Sequence, residues 1–216
     1  MAGQPREPKP VNLALQGGGA HGAFSWGVLD RLLEDERLAI EAITGASAGA
    51  VNAVALAAGL AGGDGAEGRE EARASLRRLW EGVLRSARAS ALKTSPFAFM
   101  LNGWGLDASP IYVMFDLMTR VASPYEFNPL NINPLRDLSE ELVDFEKVRA
   151  SPVKVFVSAT NVETGRAKVW GGPELTCRHV MASACLPWLF QAVEIDGAPY
   201  WDGGFSGNPA LWPLFE

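Results

Sequence analysis

Apolar residues recur along the chain at two spacings, which alternate from one segment to the next. Residues 11–16 and 38–43 have the short period of strands, and apolar positions three and four residues apart predict a helix over 23–36. The alanine-rich segment 48–60 predicts a second helix. This β-α-β-α order favours a parallel sheet with right-handed crossovers and helices packed on its faces.

The second half of the chain continues with shorter elements. Asp196-Gly197 is typical of a hairpin turn between two strands. We therefore predict an α/β fold, with three α/β/α layers around a central, mostly parallel sheet. The remaining predicted helices cover 69–88, 136–149 and 176–185, and the remaining strands cover 152–160, 167–170, 191–195 and 199–201.

The pattern also predicts how the chain is divided. Residues 1–10 are polar and proline-rich and predict a disordered lead, followed by a single domain over 11–216. Between about 95 and 150, proline, glycine and asparagine interrupt a strongly apolar sequence, which predicts a mainly helical insertion. The insertion has two compatible interpretations: ordinary packing on the sheet, or an apolar cap over a binding site. Its segment 95–120 is also where peripheral contact with a membrane is expected.

Composition narrows the class of protein. The net charge of −6 argues against a nucleic-acid binder, which needs a basic surface to neutralise phosphates. The chain shows neither a signal-peptide core nor an apolar run of about 20 residues. Cys177 and Cys185 lie too far apart in a helix for a disulfide and are expected to be free thiols. We predict a cytoplasmic protein without a metal or cofactor, and the sequence indicates no oligomeric state.

Residues 45–49 carry a serine, Ser47, in the pattern G-x-S-x-G between a predicted strand and a predicted helix. A sharp turn at this point would expose the hydroxyl, and small neighbours keep Cβ atoms from colliding there. Ser47 is therefore a candidate nucleophile. The same cluster of glycine and alanine also suits an ordinary strand-helix connection.

A glycine loop, Gly17-Gly18-Gly19-Ala20-His21-Gly22, follows the first predicted strand. Consecutive glycines allow backbone N–H groups to converge on one anion, either a phosphate or the oxyanion of an acyl-transfer intermediate. The spacing also fits a dinucleotide-binding loop, but the acidic residue expected about 20 positions later has only Glu41 as a candidate. In a parallel sheet this loop and Ser47 would be neighbours, which favours an oxyanion hole.

A serine nucleophile needs a base, and the chain contains only two histidines, His21 and His179. No histidine follows Asp202, which excludes the Ser-acid-His order of α/β-hydrolases. Both histidines stay open as bases. Asp202 is the best candidate, because Asp202-Gly203-Gly204 follows a predicted strand and would bring a carboxylate to the sheet edge.

The three motifs GGGAHG, GASAG and DGG, in this order and each after a predicted strand, resemble those of the patatin-like phospholipase family. The resemblance extends from Val11 to Asn208 and includes the stretch ASACLP at 182–187. It implies a patatin-like fold and a lipid acyl hydrolase that acts through a Ser–Asp dyad, with Ser47 as nucleophile and Asp202 as base. It further implies an oxyanion hole of the Gly17, Gly18 and Gly19 amides, supported by the motif glycines Gly22, Gly45, Gly49, Gly203 and Gly204.

The resemblance implies a lipid or another acyl ester as substrate, and no metal. The chain ends at Glu216, soon after Asp202, so the domain is expected to be C-terminally short for this family. An alternative is therefore a non-catalytic module that keeps the pocket and binds a lipid or an effector. A nucleotide-binding β-α-β protein is the third interpretation.

Overall fold

A computed structural model of the chain describes residues 7–91 and 123–215. Its strands are β1 (Lys9–Leu15), β2 (Leu38–Gly45), β3 (Lys154–Asn161), β4 (Ala167–Gly171), β5 (Val193–Ile195) and β6 (Ala198–Trp201). Its helices are α1 (Gly22–Leu33), α2 (Ala48–Gly59), α3 (Ala66–Ala91), α4 (Pro124–Phe127), α5 (Pro134–Leu142), α6 (Phe145–Ala150) and α7 (Cys177–Ser183). Short 3-10 turns lie at Gly19–His21, Leu60–Gly62, Gly172–Glu174, Gly203–Phe205 and Trp212–Leu214.

The six strands form one mixed sheet in the order β1-β2-β3-β6-β5, with β4 paired to β3. β1 pairs with β2 and β2 with β3 in parallel. β4 and β6 each pair with β3 in antiparallel orientation, and β5 pairs with β6 in the same way. Helices flank the sheet, which confirms the predicted α/β class with three α/β/α layers. The register pairs Leu15 with Gly45, so β1 and β2 end side by side.

Most predicted elements are present, with two differences that have clear causes. β1 begins at Lys9, inside the predicted lead, because Lys9 N–H donates to the Arg37 carbonyl at 2.7 Å. The single helix predicted over 136–149 is two helices, since the Asp144 side chain accepts from two amides at the start of α6 and caps a new helix there. The apolar segment 95–120, with its predicted cap and membrane contact, lies outside the described residues.

The helix that follows the candidate serine, α2, is buried on all sides. Every residue from Gly49 to Gly59 is buried, as is typical of a helix packed inside a protein rather than on its surface. Its Asn52 is fully buried, donates to the Gly22 carbonyl at 3.0 Å and accepts from the Trp80 indole N–H at 2.8 Å. These two bonds join α1, α2 and α3 directly behind the glycine loop. Among the described helices, none is both long and apolar enough to cross a membrane.

The contact between α2 and α3 depends on Gly59. A Cβ atom at Gly59 would lie 2.2 Å from the Ala72 Cα, which is closer than two non-bonded carbon atoms can approach. We expect Gly59→Ala to lower the free energy of unfolding by about 1–3 kcal/mol, measured by denaturant titration. Gly27→Ala is the matched control: Gly27 also lies in a helix, but a Cβ there meets nothing within 4 Å. That control should raise stability by about 0.5–1 kcal/mol; equal effects of the two variants would contradict the packing.

Candidate active site

A cavity of about 380 Å³ opens where the glycine loop, the start of α2 and the segment after β6 meet. Because β1 and β2 end together, the loop after β1 lies directly beside the turn after β2. The cavity thus brings together Ser47, Asp202 and the three glycines at 17–19. Its lining comprises Gly17, Gly18, Gly19, Ser47, Ala48, Val51, Leu79, Trp80, Val83, Leu135, Ala184, Leu186, Asp202, Gly204, Phe205 and Asn208.

Ser47 occupies a strained turn between β2 and α2. Its backbone has φ 54° and ψ −126°, a conformation that costs energy for any residue with a side chain. The neighbouring backbones are so close that side chains are excluded: a Cβ at Gly49 would lie 2.0 Å from the Leu15 carbonyl oxygen. A Cβ at Gly17 would lie 2.5 Å from Cβ of Ser47. The turn therefore has the sharp strand-to-helix geometry that a nucleophile elbow requires.

The backbone amide of this strained residue is held by Ser183, the last residue of α7. The Ser47 N–H donates to Ser183 Oγ at 2.9 Å, and the Ser183 hydroxyl donates to the Ser158 carbonyl at 2.7 Å. Ser183 is fully buried, so water cannot substitute for these bonds. The Ser183 side chain, 136 positions from Ser47, thereby links the turn at Ser47 to β3.

The glycine loop lines the cavity with Gly17, Gly18 and Gly19. Gly18 and Gly19 have φ values of 148° and 58°, which glycine adopts without strain. Within the described part of the chain, neither N–H donates to a protein acceptor. Gly17 differs from the prediction, because its N–H already donates to Asn208 Oδ1 at 2.6 Å. In this arrangement Gly17 has no amide available for an oxyanion.

Asp202 also lines the cavity and follows the end of β6. Although β6 is antiparallel to β3, its end reaches the site because Gly203 packs against the Ser158 carbonyl, where a Cβ would be 2.2 Å away. The Asp202 N–H donates to the Cys185 carbonyl at 2.8 Å, and the Thr160 hydroxyl donates to the Asp202 carbonyl at 2.8 Å. The backbone of Asp202 is thus fixed on both sides.

The Asp202 carboxylate is buried, with 5% of the residue exposed. Burial raises the pKa of Asp202 above its ordinary value, while hydrogen bonds from the Ser47 hydroxyl and from Gly204 N–H oppose part of the rise. Oδ1 accepts from Gly204 N–H at 2.8 Å. Oδ2 accepts no bond of strict geometry from the described residues. The Ser47 hydroxyl is thus close enough to affect the pKa of Asp202 without forming a hydrogen bond of strict geometry to it.

The other motif glycines lie where side chains would collide. A Cβ at Gly22 would lie 2.7 Å from the Trp80 ring, and one at Gly45 2.7 Å from the backbone of Gly49. A Cβ at Gly204 would lie 3.0 Å from Asp202 Oδ1. These glycines support the predicted site by allowing close approach of neighbouring segments.

Neither histidine lines the cavity. His21 Nδ1 lies 2.8 Å from the Gly18 carbonyl, within the loop itself. His179 Nδ1 accepts from the Thr176 N–H at 3.1 Å, and burial lowers the pKa of His179. That bond leaves Nδ1 without a proton and makes His179 part of the cap of α7. The geometry thus favours Asp202 over either histidine as the partner of Ser47.

The cysteines and acidic residues add no second centre among the described residues. Cys177 and Cys185 are free, as predicted, and burial raises the pKa of each thiol to about 12. Across residues 7–91 and 123–215, no three His, Cys, Asp or Glu side chains converge as metal ligands would.

One part of the cavity wall is apolar. Its side chains come from α2, α3 and α5, and the Trp80 indole is fixed there by its bond to Asn52. The cavity combines polar groups, from the glycine loop and Asp202, with this apolar surface. Such a cavity suits a ligand that carries a polar group on a hydrocarbon chain. The apolar lining residues of this wall are Val51, Leu79, Trp80, Val83 and Leu135.

Sequence reasoning missed the residues that hold the motifs in place. Ser183 lies in the small-residue stretch associated with the resemblance, but nothing in that stretch indicates a bond to the Ser47 amide. Asn208 follows the DGG motif and had no assigned role. Their partners are 136 and 191 positions away, so no local spacing could reveal them.

Ser183→Ala should lower the free energy of unfolding by about 1–3 kcal/mol, because it removes the acceptor of the Ser47 N–H and the donor to the buried Ser158 carbonyl. Chemical denaturation of both proteins measures the change. Ser139→Ala is the control, since Ser139 is equally buried but its hydroxyl has no partner among the described residues. That change should be neutral or stabilising. A Ser183→Ala protein as stable as Ser139→Ala would contradict a role for this bond.

Comparisons with known proteins agree with the motifs. The sequence model of the patatin-like phospholipase family matches residues 13–215. Among solved structures, the chain is similar to VipD from Legionella pneumophila, with 19% identity and a TM-score of 0.45. That alignment covers 92% of this chain and 46% of VipD, so the chain spans less than half the length of that protein. The search of curated proteins gave no match. The family match covers nearly the whole chain, and the protein belongs to the patatin-like phospholipase family.

Proposed function

We propose that this protein is a lipid acyl hydrolase in which Ser47 attacks the ester carbonyl and Asp202 is the base. Family membership supports hydrolysis of lipid esters in general. The observation that carries the specific assignment is the juxtaposition in one cavity of an elbow serine, a buried carboxylate that interacts with its hydroxyl, and two open loop amides.

The reaction begins when the ester carbonyl oxygen binds at the amides of Gly18 and Gly19. Asp202 takes the Ser47 proton as Oγ attacks the carbonyl carbon, and the amides stabilise the resulting oxyanion. The tetrahedral intermediate collapses, and the leaving alcohol takes the proton from Asp202. Water then gives a proton to Asp202 and attacks the acyl-enzyme, which releases the fatty acid and returns the proton to Ser47.

Burial makes Asp202 a stronger base than an ordinary aspartate. A carboxylate with its usual pKa is too weak a base for efficient proton transfer at neutral pH. The raised pKa of Asp202 reduces the difference between its pKa and that of the serine hydroxyl, which makes transfer of the Ser47 proton to the carboxylate less unfavourable. Placing the carboxylate in a nearly dry position is thus part of the mechanism.

The apolar wall supports an acyl chain as the part of the substrate that fills the cavity. Trp80 and Leu79 from α3, with Val51 from α2, contribute hydrocarbon surface within the same cavity as Ser47. A lipid ester would place its carbonyl at the glycine loop and its chain along this surface. Peripheral contact with a membrane and a cytoplasmic location stay predictions from the sequence.

Ser47→Ala should abolish hydrolysis of p-nitrophenyl acyl esters, a fall of about 10³-fold or more, because no nucleophile is left. Asp202→Asn should reduce kcat by about 10²- to 10⁴-fold through loss of the base. His179→Ala is the control and should retain most activity, since His179 lies outside the cavity. Hydrolysis at the wild-type rate by the Ser47→Ala protein would overturn the dyad.

Fluorophosphonate labelling separates this proposal from a module that only binds lipid. We expect covalent modification at Ser47, detected by intact mass and peptide mapping, and none in Ser47→Ala. An unlabelled wild-type protein that still binds acyl chains would favour the non-catalytic alternative.

Asp202→Asn should also change how stability depends on pH. Because the pKa of Asp202 is raised in the fold, the wild-type protein loses stability as pH rises from the ordinary value near 3.8 through the raised value. The Asn variant has no such loss, so the difference in free energy of unfolding should shift in favour of the variant across this window and be constant below it. The exposed Asp137→Asn controls for removal of a charge. A pH-independent difference between wild type and Asp202→Asn would contradict the raised pKa.

A further inference from the structure

Asn208 joins the two halves of the candidate active site. Its Oδ1 accepts from the Gly17 N–H at 2.6 Å, across 191 positions of sequence. A Cβ at Gly17 would lie 2.5 Å from the Ser47 Cβ and 3.3 Å from Asn208 Oδ1. The first residue of the glycine loop is therefore held between the elbow on one side and Asn208 on the other.

The orientation of the Asn208 carboxamide is fixed by this bond. A backbone N–H can only donate, so the atom facing Gly17 is the oxygen and not the NH₂ group. The side chain is exposed and lines the cavity, and it contributes little to the hydrophobic core. Its bond to Gly17 is thus a specific link and not a by-product of packing.

The segment that carries Asn208 is itself anchored to the base. The Ser206 N–H and Gly207 N–H donate to the Gly203 carbonyl at 3.2 and 3.0 Å. The Ser206 hydroxyl lies 2.8 Å from the Thr160 hydroxyl, which also bonds the Asp202 carbonyl. Asp202 and Asn208 consequently belong to one internally bonded turn, and that turn contacts the loop through Asn208.

The glycine loop needs such a link from outside. Gly18 and Gly19 have positive φ values, and consecutive glycines lose the most conformational freedom when they are fixed. An oxyanion hole works only when its amides already point at the position where charge develops. The bonds of His21 to the Gly18 carbonyl lie inside the loop, whereas the bond of Asn208 to Gly17 joins the loop to a distant segment.

We propose that Asn208 is a positioning residue for ester hydrolysis: by holding the Gly17 amide, it sets the Gly18 and Gly19 amides at a fixed distance from Ser47 and Asp202. Gly17 is then the anchor of the oxyanion hole and not one of its donors. The inference rests on the proposed function, because it assigns Asn208 a role in that reaction.

Asn208→Ala tests the role in catalysis. We expect kcat for a p-nitrophenyl acyl ester to fall at least about tenfold, since a loosened loop misplaces the donors, with KM within about twofold. Asn12→Ala is the matched control, because Asn12 is also an exposed asparagine but lies outside the cavity. A kcat within twofold of wild type overturns the inference. A raised KM with unchanged kcat also overturns it, since Asn208 would then contact substrate instead.

Hydrogen exchange of the Gly17 amide, followed by NMR, tests the bond itself. Exchange should be at least about tenfold faster in Asn208→Ala than in wild type, and protection should return in Asn208→Asp, whose carboxylate also accepts from an N–H. Equal exchange in all three proteins overturns the inference. The two failures are distinguishable: an inactive wild-type protein contradicts the proposed function, whereas an active wild type with an unaffected Asn208→Ala contradicts only the role of Asn208.

Discussion

The close approach of three backbones around Ser47 is the constraint on which the rest of the site depends. β1 and β2 end side by side, and the start of α2 packs against the end of β1. A Cβ at Gly49, in the first turn of α2, would lie 2.0 Å from the Leu15 carbonyl oxygen. The strained backbone of Ser47 persists because α2 is buried along its whole length and cannot shift. Packing energy spread over the core thus maintains one unfavourable conformation at the surface of a cavity.

Hydrogen bonds from distant segments also hold the backbone of the site in place. Ser183 satisfies the amide of the strained residue, and the Thr160 hydroxyl fixes the carbonyl of Asp202. Both side chains are buried, so each bond replaces a hydration that is not possible there. The carboxylate of Asp202 is the exception, because its Oδ2 has no strict partner among the described residues.

The sequence predicts the backbone of the site better than the bonds that hold it. Gly17, Gly49 and Gly203 could be recognised because each marks a local turn, and alternation of apolar residues revealed the core strands. The occupied amide of Gly17 could not be foreseen, since its acceptor lies 191 positions away and carries no local signal. The break between α5 and α6 depends on one capping aspartate, Asp144, which a helical period over 136–149 conceals.

The bond between Trp80 and Asn52 has a consequence for how this cavity could change. The same indole forms part of the apolar wall, packs against Gly22 and anchors α3 to α2, the helix that follows Ser47. Enlarging the cavity at Trp80 would therefore disturb the frame of the elbow. Val83 and Leu135 line the same wall without such a bond, so a change in cavity size at these positions would leave the link between α2 and α3 through Trp80 and Asn52 intact.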